Sequence, residues 1–143
     1  QVRRYFSMEV IRKIKCVTIE NPAFPERLRK LSGMPKKLYY IGNLPDPKKP
    51  SAAVIGARMC SPYGRCQAFK YARTMAKYGV QIISGLARGI DAEGHKGALD
   101  TDTPTFAVLG SGVDVCYPKS NRWLYQRRKA AGSSASFRQV LRL

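Results

Sequence analysis

No acidic residue follows Asp114, and the sequence holds a single histidine, His95, and a single tryptophan. Its four cysteines, Cys16, Cys60, Cys66 and Cys116, form no C-x-x-C pair. With one histidine and scattered thiols there is no zinc-finger spacing, and dispersed cysteines in a domain of this size fit a reducing cytoplasm. No stretch approaches the roughly 18–20 apolar residues that a membrane helix needs. The opening Gln1-Val2-Arg3-Arg4 leads into no long apolar segment, so a signal peptide is not expected. An initiator Met is also missing, and the expectation is a chain that starts within a longer protein.

What is abundant is positive charge. Lys and Arg number 26 against 9 Asp and Glu, a formal net of +17. An excess of that size points to a polyanionic partner and does not by itself choose DNA over RNA. Part of it lies at the C-terminus, where Lys119, Arg122, Arg127, Arg128, Lys129, Arg138 and Arg142 follow the last acid. The 143 residues, 44% of them hydrophobic, suffice for one domain with a real core.

The chain divides into three parts. Residues 1–50 read as a leader and linker. A short helix and then a strand are expected within Val10–Ile19, helical turns at Glu26–Leu31, and a strand at Leu38–Ile41, before Pro45, Pro47 and Pro50. Residues 51–131 are regular. Ala52–Ile55 reads as a strand buried on both faces, and Tyr63–Tyr78 as a helix with Gly79 at its C-terminal cap. A strand is expected at Val80–Ile83, a helix at Asp91–Leu99 with Asp91 capping its N-terminus, a strand at Thr105–Leu109 and a helix at Ser120–Ala131. Three successive strand–loop–helix units predict an α/β fold with a parallel sheet. Residues 132–143 form a tail with no clear pattern.

Each of the three strands runs into glycine: Gly56, then Gly85 and Gly89, then Gly110 and Gly112. Ligands of open α/β sheets bind beyond the carboxyl ends of the strands. Glycine lets a loop turn tightly and bares backbone N–H groups, and the following helix adds partial positive charge. With Arg58 and Arg88 inside two of the loops, the edge reads as a phosphate cradle. A dinucleotide site is disfavoured, because the first loop, Gly56-Ala57-Arg58-Met59-Cys60-Ser61, is not G-x-G-x-x-G and the second strand ends in Ser84 rather than an acid. The P-loop pattern is absent as well. Repeated phosphates of a nucleic-acid backbone suit repeated loops, and Tyr63 or Tyr117 could stack on a base.

Three motifs carry a resemblance. They are Gly56-Ala57-Arg58 with Ser61-Pro62-Tyr63-Gly64, then Ser84-Gly85-Leu86-Ala87-Arg88-Gly89-Ile90-Asp91 with His95 and Gly97-Ala98-Leu99, then Ala107-Val108-Leu109-Gly110-Ser111-Gly112-Val113-Asp114 with Tyr117-Pro118-Lys119 and Asn121. Together with Phe24-Pro25, Leu28, Pro35, Leu38-Tyr39 and Gly42-Asn43 they closely resemble the DprA/Smf DNA-processing family, over roughly residues 16–125. The resemblance implies an extended Rossmann-like fold and single-stranded DNA held at the loop edge. It also implies a non-enzymatic role in natural transformation, protecting incoming DNA and loading the RecA recombinase onto it. Arg58 and Lys119 match the family's phosphate contacts. Gly56, Ser61, Ser84, Gly85, Arg88, Gly89, Gly110, Ser111 and Gly112 complete the expected DNA-binding set, with no cofactor and no metal. Asp91 and His95 are expected to be structural, holding the second loop and its helix.

The chain departs from the family in two places. Ala57 stands where Ser or Thr is common. After the third helix the family continues with another strand, a Ser-Glu-Tyr-Pro-Pro-Gly-like loop and an Arg-Asn-Arg segment, whereas here an acid-free run, Arg127 to Leu143, resembles a truncated or frameshifted end. The expectation is a C-terminally truncated sheet with an exposed edge. The family's homodimer, made by that region, is left in question. The rival reading is a nucleotide-binding Rossmann-like enzyme, such as a nucleoside monophosphate phosphoribohydrolase. Its Pro-Gly-Gly-x-Gly-Thr-x-x-Glu loop does not occur, and Asp91, Glu93 and Asp114 offer no evident catalytic pair.

Overall fold

A computed structural model describes residues 14–126 and the backbone of residues 137–140. It contains a six-stranded sheet in the order β1-β2-β6-β5-β4-β3. The strands are β1 (Ile14–Thr18), β2 (Lys37–Ile41), β3 (Ser51–Ala53), β4 (Gln81–Ser84), β5 (Thr105–Val108) and β6 (Phe137–Val140). The helices are α1 (Glu26–Arg29), α2 (Pro62–Lys77), α3 (Ile90–Leu99) and α4 (Arg122–Gln126), the last preceded by a 3-10 turn at Lys119–Asn121. β3, β4, β5 and β6 run parallel, while β2 pairs antiparallel with both β1 and β6.

The repeated strand–loop–helix pattern is present within a residue or two of the expected boundaries. Two features differ from expectation. Ala52–Ile55 is not buried on both faces: β3 lies at the sheet edge, Ala53 is exposed and Ile55 is 70% exposed. An apolar run alone does not tell an edge strand from a central one. The sheet also does not stop at β5, because β6 pairs alongside it in parallel from Thr105↔Phe137 to Val108↔Val140. The expected bare edge is therefore occupied, and β6 joins the β1–β2 pair to the parallel strands. Phe137-Arg138-Gln139-Val140 is too short and too weakly patterned to stand out as a strand in the sequence. The expected third helix is described as far as Gln126, and its remainder lies outside the described residues, as does the helix expected from Val10.

α2 and α3 pack closely. The seam on α2 is Ala68, Ala72 and Ala76, all buried, and a Cβ on Gly97 of α3 would meet the Phe69 carbonyl oxygen at 2.4 Å. Only glycine lets the two backbones approach this far. Ala72, Ala76, Ile82 and Ala98 form one core cluster; Leu86, Ala92, Leu99, Ala107, Leu109, Leu124 and Tyr125 form another. Val17, Phe24 and Leu38 make a third beneath the β1–β2 pair. The Pro-rich linker is pinned to the sheet by buried Gln81, whose side-chain oxygen accepts from the Asp46 N–H at 2.8 Å and whose amide donates to the Asp46 carbonyl at 2.9 Å.

Candidate nucleic-acid interface

Because β3, β4 and β5 are parallel neighbours, the loops that leave them gather at one edge of the sheet. There they enclose a cavity of about 400 Å³ lined by Arg58, Gly85, Ala87, Arg88, Leu109, Gly110, Ser111, Tyr117 and Pro118. All three loops contribute. Five of the expected site residues line it: Arg58, Gly85, Arg88, Gly110 and Ser111. Arg58 and Arg88 are exposed, and among the described residues no carboxylate pairs with either. Among the described residues no carboxylate lines the cavity. Tyr117, 63% exposed, gives it an aromatic wall.

The loops are held by two side chains. Asp91, buried at the second position of α3, does not cap its own helix, whose N-cap is Gly89. One carboxylate oxygen accepts from the Gly56 N–H at 3.3 Å; the other accepts from Gly85 N–H at 3.1 Å and Ala87 N–H at 3.4 Å. The first and second loops are thereby tied through one residue. This corrects the expectation that Gly56 and Gly85 offer their amides to a phosphate, since both are engaged by Asp91. From the third loop side, buried Asn121 donates its side-chain amide to the carbonyls of Leu86, at 2.9 Å, and Ala87, at 3.1 Å. That fixes the second loop at Leu86, which is fully buried with φ of 59°, a conformation uncommon outside glycine.

Gly89 is where the first loop crosses the second. Its φ is +79°, and a Cβ there would meet the Ala57 carbonyl oxygen at 2.2 Å. Its role is close approach, and it does not line the cavity. Ser84 is buried and donates to the Val54 carbonyl at 2.5 Å, joining β4 to the chain beyond β3. Ser61 caps α2, its hydroxyl accepting from the Gly64 N–H at 3.1 Å. Gly112 accepts at its carbonyl from the Val115 N–H at 2.9 Å, which shapes the third loop. Lys119 is exposed on the 3-10 turn, outside the cavity lining. Thus six of the expected residues, Gly56, Ser61, Ser84, Gly89, Gly112 and Lys119, surround the cavity's framework without lining it.

His95 sits in the core. Thr105 donates its only hydroxyl proton to the Ile82 carbonyl at 2.8 Å, so its oxygen accepts from His95 Nδ1 at 2.8 Å and the proton is on Nδ1. Burial pushes the imidazole pKa down to about 3. The ring joins α3 to β5 and is not among the residues that line the cavity. The sequence did not reveal Asn121 as the clamp on the second loop. It stands in the Tyr-Pro-Lys-x-Asn segment, but no spacing rule says which carbonyls a helix-start Asn will reach.

A family model described as DNA recombination-mediator protein A matches residues 15–136. The chain is 35% identical over 120 residues to the Smf protein of Synechocystis, covering 81% of this chain and 30% of that protein. It is 36% identical over 129 residues to the DNA processing protein DprA of Streptococcus pneumoniae, covering 86% of this chain and 45% of that protein. The crystal structure of DprA from Streptococcus pneumoniae superposes with a TM-score of 0.78 at 32% identity, over 93% of this chain and 45% of that one. A structure of DNA processing protein A from Helicobacter pylori, which describes a single-stranded DNA binding mode, superposes with a TM-score of 0.69 at 29% identity, over 89% of this chain and 55% of that one. The chain thus spans less than half the length of these two curated relatives. On its motifs, its fold and these likenesses, the chain belongs to the DNA recombination-mediator protein A family, the DprA/Smf DNA-processing proteins.

Proposed function

We propose that this chain binds single-stranded DNA along the loop edge and acts there as a non-enzymatic module. The observation that carries the reading is the cavity that opens between the three loops, with Arg58 and Arg88 on its wall and, among the described residues, no carboxylate lining it. Two guanidiniums without acidic partners are suited to phosphates. Tyr117 offers a face for a base, a contact worth about 1–3 kcal/mol. The single-stranded DNA binding of the Helicobacter pylori relative supports the same ligand. Hydrolytic chemistry is disfavoured by the carboxylates themselves: Asp91 is spent on three amides and Glu93 pairs with Lys96 at 2.7 Å.

In this reading Lys119 extends the positive rim beyond the cavity. The bound strand is handed to RecA during natural transformation. Titration with single- and double-stranded oligonucleotides at two salt concentrations tests the ligand. Tighter binding of the single strand, weakening steeply with salt, is expected; equal affinity for both would contradict it. RecA filament assembly on protein-coated single-stranded DNA, with and without this chain, tests the handover, and no acceleration would contradict it.

A further inference from the structure

The exposed side of α2 carries an aromatic and basic stripe that the cavity does not account for. Tyr63, Tyr71 and Tyr78 are 73%, 65% and 83% exposed. At 100° per residue they fall within a quarter turn of one another, with Lys70 and Lys77 along their flank. This side lies opposite the alanine seam that packs on α3. α2 contains no acidic residue, and among the described residues neither lysine has a carboxylate partner. Three large aromatic rings left in water on a helix whose other face is well packed are not needed for the core. Their spacing spans about 22 Å along the helix axis. The stripe begins at Tyr63, directly after the first loop and its Arg58.

We propose that this face of α2 is a second tract for single-stranded nucleic acid, continuing the strand that leaves the cavity past Arg58. The inference rests on the single-strand reading of the cavity and extends it. Two features select a nucleic-acid strand over an acidic protein surface. Lysines without acidic neighbours complement a uniformly charged backbone, and tyrosines at near-regular intervals offer stacking faces that any base can use. The rings and cations also alternate along the helix, in a stripe that begins just after the loop carrying Arg58, as a continuous strand requires.

The test compares oligonucleotides of about 5 and about 16 nucleotides, the range of site sizes for single-strand grooves. The short one fills the cavity; the long one reaches α2. Tyr71→Ala with Tyr78→Ala is expected to weaken the long oligonucleotide by about 10-fold or more and to leave the short one unchanged. Lys70→Gln with Lys77→Gln is expected to make the salt slope shallower by about 1.4 for the long oligonucleotide only. Both pairs are exposed, and retained short-oligonucleotide binding reports an intact fold. Unchanged long-oligonucleotide affinity in the tyrosine variant, or equal loss for both lengths, overturns the inference. If the wild-type protein fails to bind the short oligonucleotide, or binds it equally well after Arg58→Ala with Arg88→Ala, the cavity reading falls and this inference with it.

Discussion

Asp91 accepts a hydrogen bond from the backbone of Gly56, 35 residues away, at 3.3 Å, through one carboxylate oxygen, while its other oxygen holds Gly85 and Ala87. One acid thus sets the separation of the first two loops, and with it the distance between Arg58 and Arg88 on the cavity wall. Asp91→Asn places an amide donor among N–H donors. Hydrogen bonds to charged groups contribute about 1.5–3 kcal/mol, so a loss of about 2–3 kcal/mol in unfolding free energy is expected, read from urea titration.

Gly89 and Gly110 should differ sharply in their response to the same added methyl. At Gly89 a Cβ would meet the Ala57 carbonyl at 2.2 Å with φ at +79°, whereas at Gly110 it meets nothing within 4 Å. Gly89→Ala is expected to displace the first loop and lower stability by about 2 kcal/mol or more. Gly110→Ala should stay within about 0.5 kcal/mol of wild type. Thermal melts of the two variants side by side check this.

Asn121→Ala removes both donors to the Leu86 and Ala87 carbonyls. Leaving the buried Leu86 carbonyl unpaired costs about 1–3 kcal/mol. Hydrogen exchange at the amides of residues 86–89 should speed up, and single-stranded DNA affinity should fall although the cavity's two arginines are untouched. Unaltered exchange in that segment would show that the clamp does not hold the loop.

His95 couples stability to pH. Its pKa is pushed down by burial from 6.5 to about 3. Below pH 6.5 the unfolded chain takes up a proton on this ring, whereas the folded protein does not until near pH 3. Its contribution is therefore complete above pH 6.5 and is lost as pH falls through that window, by up to about 1.4 kcal/mol per pH unit. Urea titrations at pH 7.5, 6 and 5 should show the decline. His95→Gln should be less stable at pH 7.5, with the gap to wild type closing towards pH 5.

Much of the fold was legible because glycine follows β3, β4 and β5 and because Gly79 stands just past the end of α2. Gly56, Gly85 and Gly110 thus mark the sheet edge at which the cavity lies. What the loops do there was less legible. Gly56 and Gly85 looked like free donors because a sequence does not show that Asp91, 35 and 6 positions away, folds its carboxylate back onto them. Ser84 was expected at the ligand, yet its hydroxyl is spent inside on the Val54 carbonyl. Ala52–Ile55 has the apolar composition of a strand buried on both faces, yet it runs along the sheet edge with Ala53 and Ile55 exposed, because composition does not report a strand's neighbours. β6 was missed because four residues of mixed character become a strand only by pairing with β5 and β2.

The central claim is that the cavity of Arg58 and Arg88 holds a single-stranded DNA backbone. Its most direct test is the affinity of wild type and of Arg58→Ala with Arg88→Ala for one single-stranded oligonucleotide across a salt series. Loss of two phosphate contacts is expected to flatten the slope of log affinity against log salt by about 1.4 and to weaken binding at every salt concentration. The same slope and affinity in the double variant would contradict the account.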